Sequence, residues 1–569
     1  MLAENKKEDI MVSNDPKIES GPPKKKSNKK KKKSAAASGP IEPIDPYYEQ
    51  VMQTYPVFLR STKAKGRHAT ASKQLDEGTT IFYEQATAFV VRSDYIDEHC
   101  HVCLDLLTTK MMCSDCQKSF YCSKKCFEQD SDTHALVCSP MAVIDSIARA
   151  TDVDVDLLRL ITLLLARRQR DNDNKDAPDD GGNDQQKQQA TAPTPFWCTK
   201  DLISHRNHAN PAFVRVVKEA GERLLSELPE SMQIPVDDLL TLACRINSNA
   251  YGLGDNEARN TDVALGLFPV SGMFFNHACN PNCAFVGVQH GQLTFRTIRP
   301  VKQGEELTVT YIDLYASRDE RRQDLLDSKN FWCKCKRCTS PMEQSVDRFL
   351  QSIMCEKCHE DVYVIPPSPM EDLTQGKPLD LSGEWKCAKC GSAASAQSVT
   401  STIQQAQQMY MEGIMAIRKQ RDYRGARAKL EPLVASSNNK STKTENMKGG
   451  DLHPRNAIRF NASIPLMNCL RHSQDINAAI NVNRYIIETM EAHAKENLPK
   501  NTPEISDFWQ NLGELCQLMA SKNSDRVPLN KRWRKEAKEA FDHASQVRSI
   551  VFGPDHPKTK FVKELAASV

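Results

Sequence analysis

The alternation of apolar and polar positions changes its period several times along the chain, and each change predicts a different kind of element. From Tyr55 to Val91, the TIF and FVV clusters are separated by Gly and Asp-Glu turns, which indicates short strands. Apolar residues then recur at helical spacing in MAVIDSIARA and VDLLRLITLLLARR, and again from Pro211 to Asn247. Between Val263 and Asp313 the period returns to two. There CAFVGV and LTFRTI flank a short turn, which predicts a hairpin, and LTVTYI predicts another strand.

After Ser401 the pattern is helical to the last residue. Three amphipathic stretches have the length of helix pairs: AQQMYMEGIMAIRKQ, INAAINVNRYIIETMEAHA and RKEAKEAFDHASQVRSIVF. They resemble tetratricopeptide-type helices, but no 34-residue period repeats, so a plain helical bundle stays open. Strands followed by a long helical region predict a multidomain α+β chain.

Composition limits the function. The 569 residues carry 76 Lys plus Arg against 73 Asp plus Glu, a net charge of only +3, so any nucleic-acid contact needs a local patch. No apolar run approaches the ~20 residues of a membrane span, and no secretory signal is visible. We expect a soluble monomer inside the cell, without a membrane partner.

Two segments lack a folding pattern. Residues 1–44 are rich in Lys, Ser and Pro, which predicts a disordered tail. Within it, Lys24–Lys33 holds eight lysines in ten residues, either a solvated tail or a nuclear-import or weak nucleic-acid patch. On this run we predict both a nuclear and a cytoplasmic location. The Asp-, Asn- and Gln-rich segment 171–195 predicts a mobile insertion between helices.

The 20 cysteines favour metal over disulfides, because the cell interior is reducing. Eight soft ligands crowd into 39 residues, enough for two tetrahedral zinc ions whose ligand pairs alternate along the chain. With all positions filled by protein, both sites are structural. The predicted sets are Cys100, Cys103, Cys122 and Cys126 for one ion, and Cys113, Cys116, His134 and Cys138 for the other. We interpret the nearby His99 and His101 as surface residues.

Two further cysteine sets follow. Cys333, Cys335 and Cys338 need a distant fourth ligand to complete a tetrahedral site. Two C-x-x-C pairs separated by 28 residues are typical of a zinc ribbon, formed by Cys355, Cys358, Cys387 and Cys390. Five cysteines remain as ordinary buried thiols: Cys198, Cys244, Cys283, Cys469 and Cys516.

The motifs together resemble a known family. The first cysteine block, with F-Y-C-S-x-x-C from Phe120 to Cys126, resembles the MYND zinc finger. The ordered set N-H-x-C, G-E-E-L-x-x-x-Y and C-x-C-x-x-C, from Asn276 to Cys338, resembles the SET lysine methyltransferase domain and its post-SET zinc site. A SET domain interrupted by a MYND finger is typical of the SMYD family, and GPDHP at Gly553–Pro557 looks like the family's C-terminal region. Residues 50–395 carry most of the resemblance.

The resemblance implies the site residues. Tyr311 corresponds to the active-site tyrosine, and Cys279 to the fourth post-SET zinc ligand. S-adenosyl-L-methionine is expected at the residues that match the family's cofactor site: Lys65, Arg67, Asn249, Asn276, His277 and Phe331. Taken alone, several of these have plainer readings as turn, cap or core residues, and Glu305 and Glu306 could form a solvated turn. His68 replaces a glycine, so the turn there must either avoid positive φ or be strained. This departure is similar to the arrangement in a divergent, insect-like branch of the family.

The chemistry agrees with these residue types. A lysine amine attacks the methyl group of a sulfonium, so the enzyme mainly aligns the reactants, excludes water and favours the neutral amine. The expected function is protein-lysine methylation on histone or non-histone proteins in transcriptional regulation, with the zinc ions as scaffolding. The MYND finger implies Pro-containing partner peptides. The alternative is a catalytically weak or inactive MYND adaptor or corepressor.

The resulting architecture is a β-rich SET core split by a MYND finger, with post-SET zinc sites and an α-helical, tetratricopeptide-like C-terminal domain. The predicted boundaries are a Lys-rich tail at 1–44, an N-terminal SET piece at 45–95, the MYND finger at 96–140, a helical insert at 141–260, the SET core at 261–315, post-SET and ribbon at 316–395, and the helical domain at 396–569.

Overall fold

The computed structural model describes residues 42–175, 192–254, 262–358, 363–366, 383–434 and 452–569. The Lys24–Lys33 run and most of segment 171–195 lie outside these residues, so the disorder and mobility expected there stay predictions. Among the helices in the described ranges, none combines the length and the apolar character needed to cross a bilayer.

The strands are short and form several small sheets instead of one large one. Their bounds are β1 Val57–Thr62, β2 Gly66–Ala71, β3 Thr80–Gln85, β4 Ala88–Val91, β5 Met111–Met112, β6 Phe120–Tyr121, β7 Ala250–Gly254, β8 Asp262–Leu267, β9 Asn276–His277, β10 Cys283–Val288, β11 Gln292–Thr297, β12 Thr308–Val309, β13 Val364–Ile365, β14 Trp385–Cys387 and β15 Ala393–Ala394.

Strands distant in sequence pair in the SET core. The antiparallel orders are β1-β2, β10-β11-β3 and β4-β8-β7. The hairpin predicted from CAFVGV and LTFRTI is confirmed as β10 and β11, with Phe285 opposite Phe295. Of LTVTYI, only β12 is a strand, because its sole partner is the two-residue β9, to which it runs parallel. This short parallel pairing brings the N-H-x-C motif beside the G-E-E-L-x-x-x-Y motif.

The predicted helical regions are confirmed. The bounds of the described α-helices are α1 Pro46–Met52, α2 Lys124–Thr151, α3 Val155–Lys175, α4 Pro211–Glu227, α5 Val236–Asn249, α6 Pro269–Phe274, α7 Arg318–Lys329, α8 Lys336–Thr339, α9 Asp347–Leu350, α10 Ala396–Gln420, α11 Tyr423–Val434, α12 Ala457–His472, α13 Ile476–Lys495, α14 Pro503–Lys522, α15 Val527–Val551 and α16 Pro557–Ser568. Several begin at a polar cap, such as Ser317, which forms a complete capping box with Glu320.

Two large cores account for most of the burial. One joins the SET strands to helices α2 to α6, and the other joins the C-terminal helices to the zinc ribbon. The C-terminal domain also packs on the SET sheet, where Val551 meets Val286 and Ile298, and Arg296 Nε donates to the carbonyl of Ile550 at 2.9 Å. The C-terminal domain therefore packs directly against the β10–β11 hairpin.

The prediction that His99 and His101 are surface residues is wrong. His99 is only 3% exposed, because its ring packs edge-on against Tyr95 at the base of the zinc finger. His101 is also largely covered and contacts the carbonyl of Ile96 through Nε2 at 3.0 Å. The five cysteines outside the metal sets are buried, as predicted.

Candidate functional site

The sixteen predicted metal ligands come together in the four predicted sets. Within each set, the ligand atoms all lie within 4.8 Å of one another. Zinc with Zn–S bonds of about 2.3 Å spaces the corners of its tetrahedron about 3.8 Å apart. The separations fit: 3.5 Å for Cys103 and Cys122, 3.7 Å for Cys113 and Cys138, and 3.8 Å for Cys355 and Cys390. The donor sets therefore suit structural zinc.

The zinc finger folds around its ligands because it has almost no other core. Cys122 and Cys126 bracket the start of α2, and Ser123 between them caps that helix by accepting from the Cys126 amide. His134 lies further along the same helix. Its Nε2 is 3.8 Å from the Cys116 sulfur, and its Nδ1 is 3.3 Å from the hydroxyl of Ser119. That second contact fixes the ring orientation for metal binding.

The post-SET cluster joins Cys279 to three cysteines that lie 54 or more positions later in the sequence. Cys279 Sγ lies 3.5 Å from Cys338 and 3.9 Å from Cys333, which agrees with its predicted role as fourth ligand. Helix α7 precedes the other three ligands and is capped at its C-terminus by Asn330, whose φ of 54° is left-handed. This turn sends Phe331 toward the SET core and Cys333 into the cluster.

An arginine cluster surrounds the post-SET metal ligands. Arg318, Arg321 and Arg337 are all within hydrogen-bonding distance of the Asp347 carboxylate, which is fully buried. Arg337 also donates to the carbonyl of Cys279 at 2.9 Å, and Arg321 lies 3.8 Å from the Cys338 sulfur. Three guanidinium groups and one carboxylate leave two positive charges. Four thiolates around Zn²⁺ leave two negative charges, so the two groups neutralise each other.

The β1–β2 hairpin presents Lys65 at its turn. Gly66 has a φ of 66°, in the region that favours glycine. His68 follows within strand β2, outside the left-handed region, so its replacement of glycine needs no positive φ. The Lys65 ammonium pairs with Glu306 at 2.6 Å, and Glu306 is therefore part of the site and not a solvated turn.

Asn276 connects the hairpin to the SET core. Its Nδ2 lies 3.2 Å from the carbonyl of Lys65, 3.3 Å from that of Arg67 and 3.2 Å from Glu306 Oε1. In the part of the chain that the structure describes, no group donates to its side-chain oxygen. Asn276 thus holds the hairpin with its amide nitrogen and keeps its oxygen as an acceptor for a ligand.

His277 links the tyrosine segment to the metal cluster. Its Nδ1 accepts from the Tyr311 backbone N–H at 3.1 Å, so the ring hydrogen is on Nε2, which lies 3.2 Å from Cys279 Sγ. Burial lowers the pKa of His277 to about 3, which keeps the ring neutral. A neutral imidazole that donates to a thiolate orients this metal ligand.

Tyr311 has an oriented hydroxyl. The hydroxyl donates to the carbonyl of Phe275 at 2.8 Å, which leaves its lone pairs to accept from another group. Burial raises the pKa of Tyr311 well above its usual value, so the phenol stays protonated. Its ring lies 5.4 Å from that of His277.

These residues line one cavity of about 840 Å³ between the SET core and the post-SET segment. The cavity brings together five of the predicted catalytic and cofactor residues, Lys65, Asn276, His277, Tyr311 and Phe331, and is also lined by the metal ligands Cys333 and Cys335. It also includes Glu306 and Trp332, which the sequence analysis did not assign to the site. The position of Glu306 in the G-E-E-L motif is a sequence signal for a site residue, but its ion pair with Lys65 depends on the tertiary structure.

Two predicted cofactor residues do not line this cavity. Arg67 pairs with Glu42 at 3.1 Å and donates to the carbonyl of Asp201. Asn249 ends α5 and donates to the carbonyls of Ile203 and Arg245, each at 2.8 Å. Both hold the segment around residues 201–203 against the SET core, and their contact with a cofactor stays a prediction.

Comparison with known proteins agrees with this site. The SET domain family model matches residues 66–312. The chain is similar to human N-lysine methyltransferase SMYD2, with 26% identity over 277 residues, 48% of this chain and 58% of that protein. It is also similar to mouse histone-lysine N-methyltransferase SMYD3, with 25% identity over 50% of this chain and 62% of the relative. A SET and MYND domain-containing protein of Dictyostelium discoideum is 25% identical over 54% of this chain and 64% of its own length.

The cavity, the post-SET cluster and the family match define a SET-domain protein whose SET region is interrupted by a zinc finger. Over this region the chain is similar to the SET and MYND domain-containing proteins, the SMYD family. The matched region spans less than two thirds of the length of each of these relatives.

Proposed function

We propose that this chain is an S-adenosylmethionine-dependent protein-lysine methyltransferase. The single observation that carries the proposal is the cavity in which Tyr311 and Phe331 face Lys65, Asn276 and His277. The human and mouse relatives are named lysine methyltransferases, which supports a lysine amine as the methyl acceptor.

The donors around the cavity fit the proposed cofactor. Lys65 carries a cation that can pair with a carboxylate, and Asn276 offers a carbonyl oxygen that can accept from an ammonium group. Phe331 and Trp332 supply aromatic surface for a flat ring. When bound, S-adenosylmethionine supplies a methyl group on a sulfonium. Glu306 balances Lys65 and keeps the hairpin against the core.

The chain's residues then have separate tasks. Tyr311 accepts a hydrogen bond from the incoming amine and orients its lone pair, because its own hydrogen is committed to Phe275. Apolar surroundings penalise a charged amine and favour its loss of a proton. His277 holds the Tyr311 backbone and the post-SET cluster together, so the two walls of the cavity keep their spacing.

Calorimetric titration with S-adenosylmethionine tests the proposal. Lys65→Ala should weaken binding about tenfold, the lower end for a charge-assisted hydrogen bond, because Lys65 is half exposed. Lys63→Ala is the matched control: it changes an exposed lysine of the same turn that does not line the cavity, so its affinity should equal that of the wild type. If the wild-type chain shows no binding, the enzyme proposal is wrong and the adaptor alternative is favoured.

A methylation screen on protein arrays with mass-spectrometric readout then addresses the substrate. Tyr311→Phe removes the hydroxyl that orients the amine. It should abolish transfer on any identified substrate while cofactor affinity stays within a few-fold of the wild type. Near-normal turnover by this variant would exclude Tyr311 as the catalytic residue.

Peptide docking at the zinc finger is a second candidate function, favoured by exposed apolar side chains on this small domain. Leu106, Met112 and Phe127 are each 40% to 50% exposed. We propose that they contact Pro-containing partner peptides. Phe127→Ser should reduce the binding of a fluorescent Pro-rich peptide, whereas the change of exposed Phe561 to Ser in α16 should not.

A further inference from the structure

Lys329, the last residue of α7, reaches from the post-SET segment to the SET core. Its Nζ donates to the carbonyl of Ser248 near the end of α5 at 2.7 Å. The same Nζ lies 5.9 Å from the centre of the Tyr311 ring. No other lysine in the described ranges has its ammonium over this ring. The contact is internal to the chain and brings an amine to the proposed catalytic tyrosine.

The position of Lys329 relative to the cavity matters. Tyr311 lines the cavity, but Lys329 does not. The amine therefore approaches the tyrosine from outside the space assigned to the cofactor. In a displacement, the nucleophile must reach the methyl carbon from the side away from the leaving sulfur. An acceptor amine is therefore expected to approach the methyl group from outside the cofactor cavity, as Lys329 does.

The environment of Lys329 also favours the reactive form of an amine. Burial lowers the pKa of Lys329, although Asp324 acts in the opposite direction. His205 is another titratable side chain whose charge couples to Lys329, and burial lowers the pKa of that histidine as well. A larger share of Lys329 is thus neutral than for a fully solvated lysine.

We propose that Lys329 is an internal methyl acceptor, methylated in cis by the chain's own SET domain. The inference rests on the proposed function. The neutral Nζ attacks the methyl carbon of the sulfonium, a new C–N bond forms, and the C–S bond breaks with its electron pair left on sulfur. The resulting methylammonium can then lose one proton to water. No oxidant or further reactant is needed.

The test is mass spectrometry on the full purified chain incubated with S-adenosylmethionine that carries a deuterated methyl group. We expect label at Lys329 with a first-order rate that is unchanged on tenfold dilution, because transfer in cis does not depend on encounter between chains. Lys329→Arg should remove the label at this position. Tyr311→Phe should reduce it at least tenfold while calorimetric binding persists. Lys302→Arg, a change of an exposed lysine outside the cavity, should leave labelling of Lys329 unchanged.

A second readout does not depend on methyl transfer. Competitive acetylation with acetic anhydride at a series of pH values should label Lys329 with a midpoint at lower pH than that of a fully solvated lysine. Cofactor binding without label at Lys329, or a labelling rate that falls with dilution, would overturn the inference and leave the proposed function intact. Absence of cofactor binding would overturn both.

Discussion

Asp347→Asn is the substitution whose effect the structure specifies most fully. The carboxylate is fully buried and accepts from Arg318 and Arg337 at 2.9 Å and from two nitrogens of Arg321 at 3.0 Å. Burial alone would raise the pKa of Asp347, but Arg337 and Arg321 outweigh it, and the pKa lies well below its usual range. The aspartate is therefore ionised at every pH at which the protein is handled.

The asparagine would leave three buried guanidinium groups without their shared counter-charge and would turn an amide hydrogen toward one of them. Removal of one partner of a buried ion pair costs about 3–5 kcal/mol. The cost falls on the segment that holds Cys333, Cys335 and Cys338, because Arg321 and Arg337 contact the metal ligands themselves. We therefore expect the post-SET zinc to be lost before the others.

The assay combines urea denaturation at neutral pH with zinc analysis of the purified chain. We expect a decrease of about 3–5 kcal/mol in the free energy of unfolding and a fall from four zinc ions to three. Asp97→Asn is the control, since Asp97 pairs with Lys110 at 3.0 Å but both side chains are at least half exposed. Such exposed pairs contribute little to stability, so the control should unfold like the wild type. A change below 1 kcal/mol in the Asp347 variant, with four zinc ions retained, would refute the reasoning.

Three further predictions concern metal, pH and location. Cys390→Ser should lower the zinc content from four ions per chain to three. It should leave cofactor affinity unchanged, because the zinc ribbon packs on the C-terminal core and not on the cavity. Two or fewer zinc ions per chain in the wild type would contradict the metal assignment. Burial raises the pKa of Glu84 to about 7 despite hydrogen bonds from Ser271, Val270 and Thr194. The proton on Glu84 is bound more tightly in the folded state than in the unfolded state. The free energy of unfolding of the wild type, measured relative to that of Glu84→Gln, should therefore decrease by about 3 kcal/mol as the pH rises from 4.5 to 7. A difference between the two proteins that does not depend on pH would contradict this. We propose that Lys24–Lys33 directs part of the protein to the nucleus. A fluorescently tagged chain without residues 1–40 should then show less nuclear fluorescence than the tagged intact chain. An unchanged nuclear signal would mean that the lysine run is only a solvated tail.

Local signals were sufficient for much of this protein. The spacing of the cysteines predicted three of the four ligand sets, because zinc geometry restricts which residues can share an ion, and the resemblance to the SET domain supplied Cys279 for the fourth set. Apolar periodicity predicted the helices of the insert and of the C-terminal domain, and the β10–β11 hairpin, since each of these depends on neighbours in sequence. The order of the motifs predicted that Asn276, His277 and Tyr311 share one site, and they do.

The tertiary structure decided which candidates face the same space. Arg67 and Asn249 matched the motif pattern, yet their side chains turn toward the segment around residues 201–203. Lys329 showed no signal in the sequence, because its proximity to Tyr311 depends on how α7 packs across the SET core. The Asp347 cluster was invisible for the same reason: a buried charge is permitted only when the fold supplies its partners, and those partners come from separate helices. Ligand spacing and periodicity are properties of a local stretch of chain, whereas burial and charge pairing are set by which distant stretches meet.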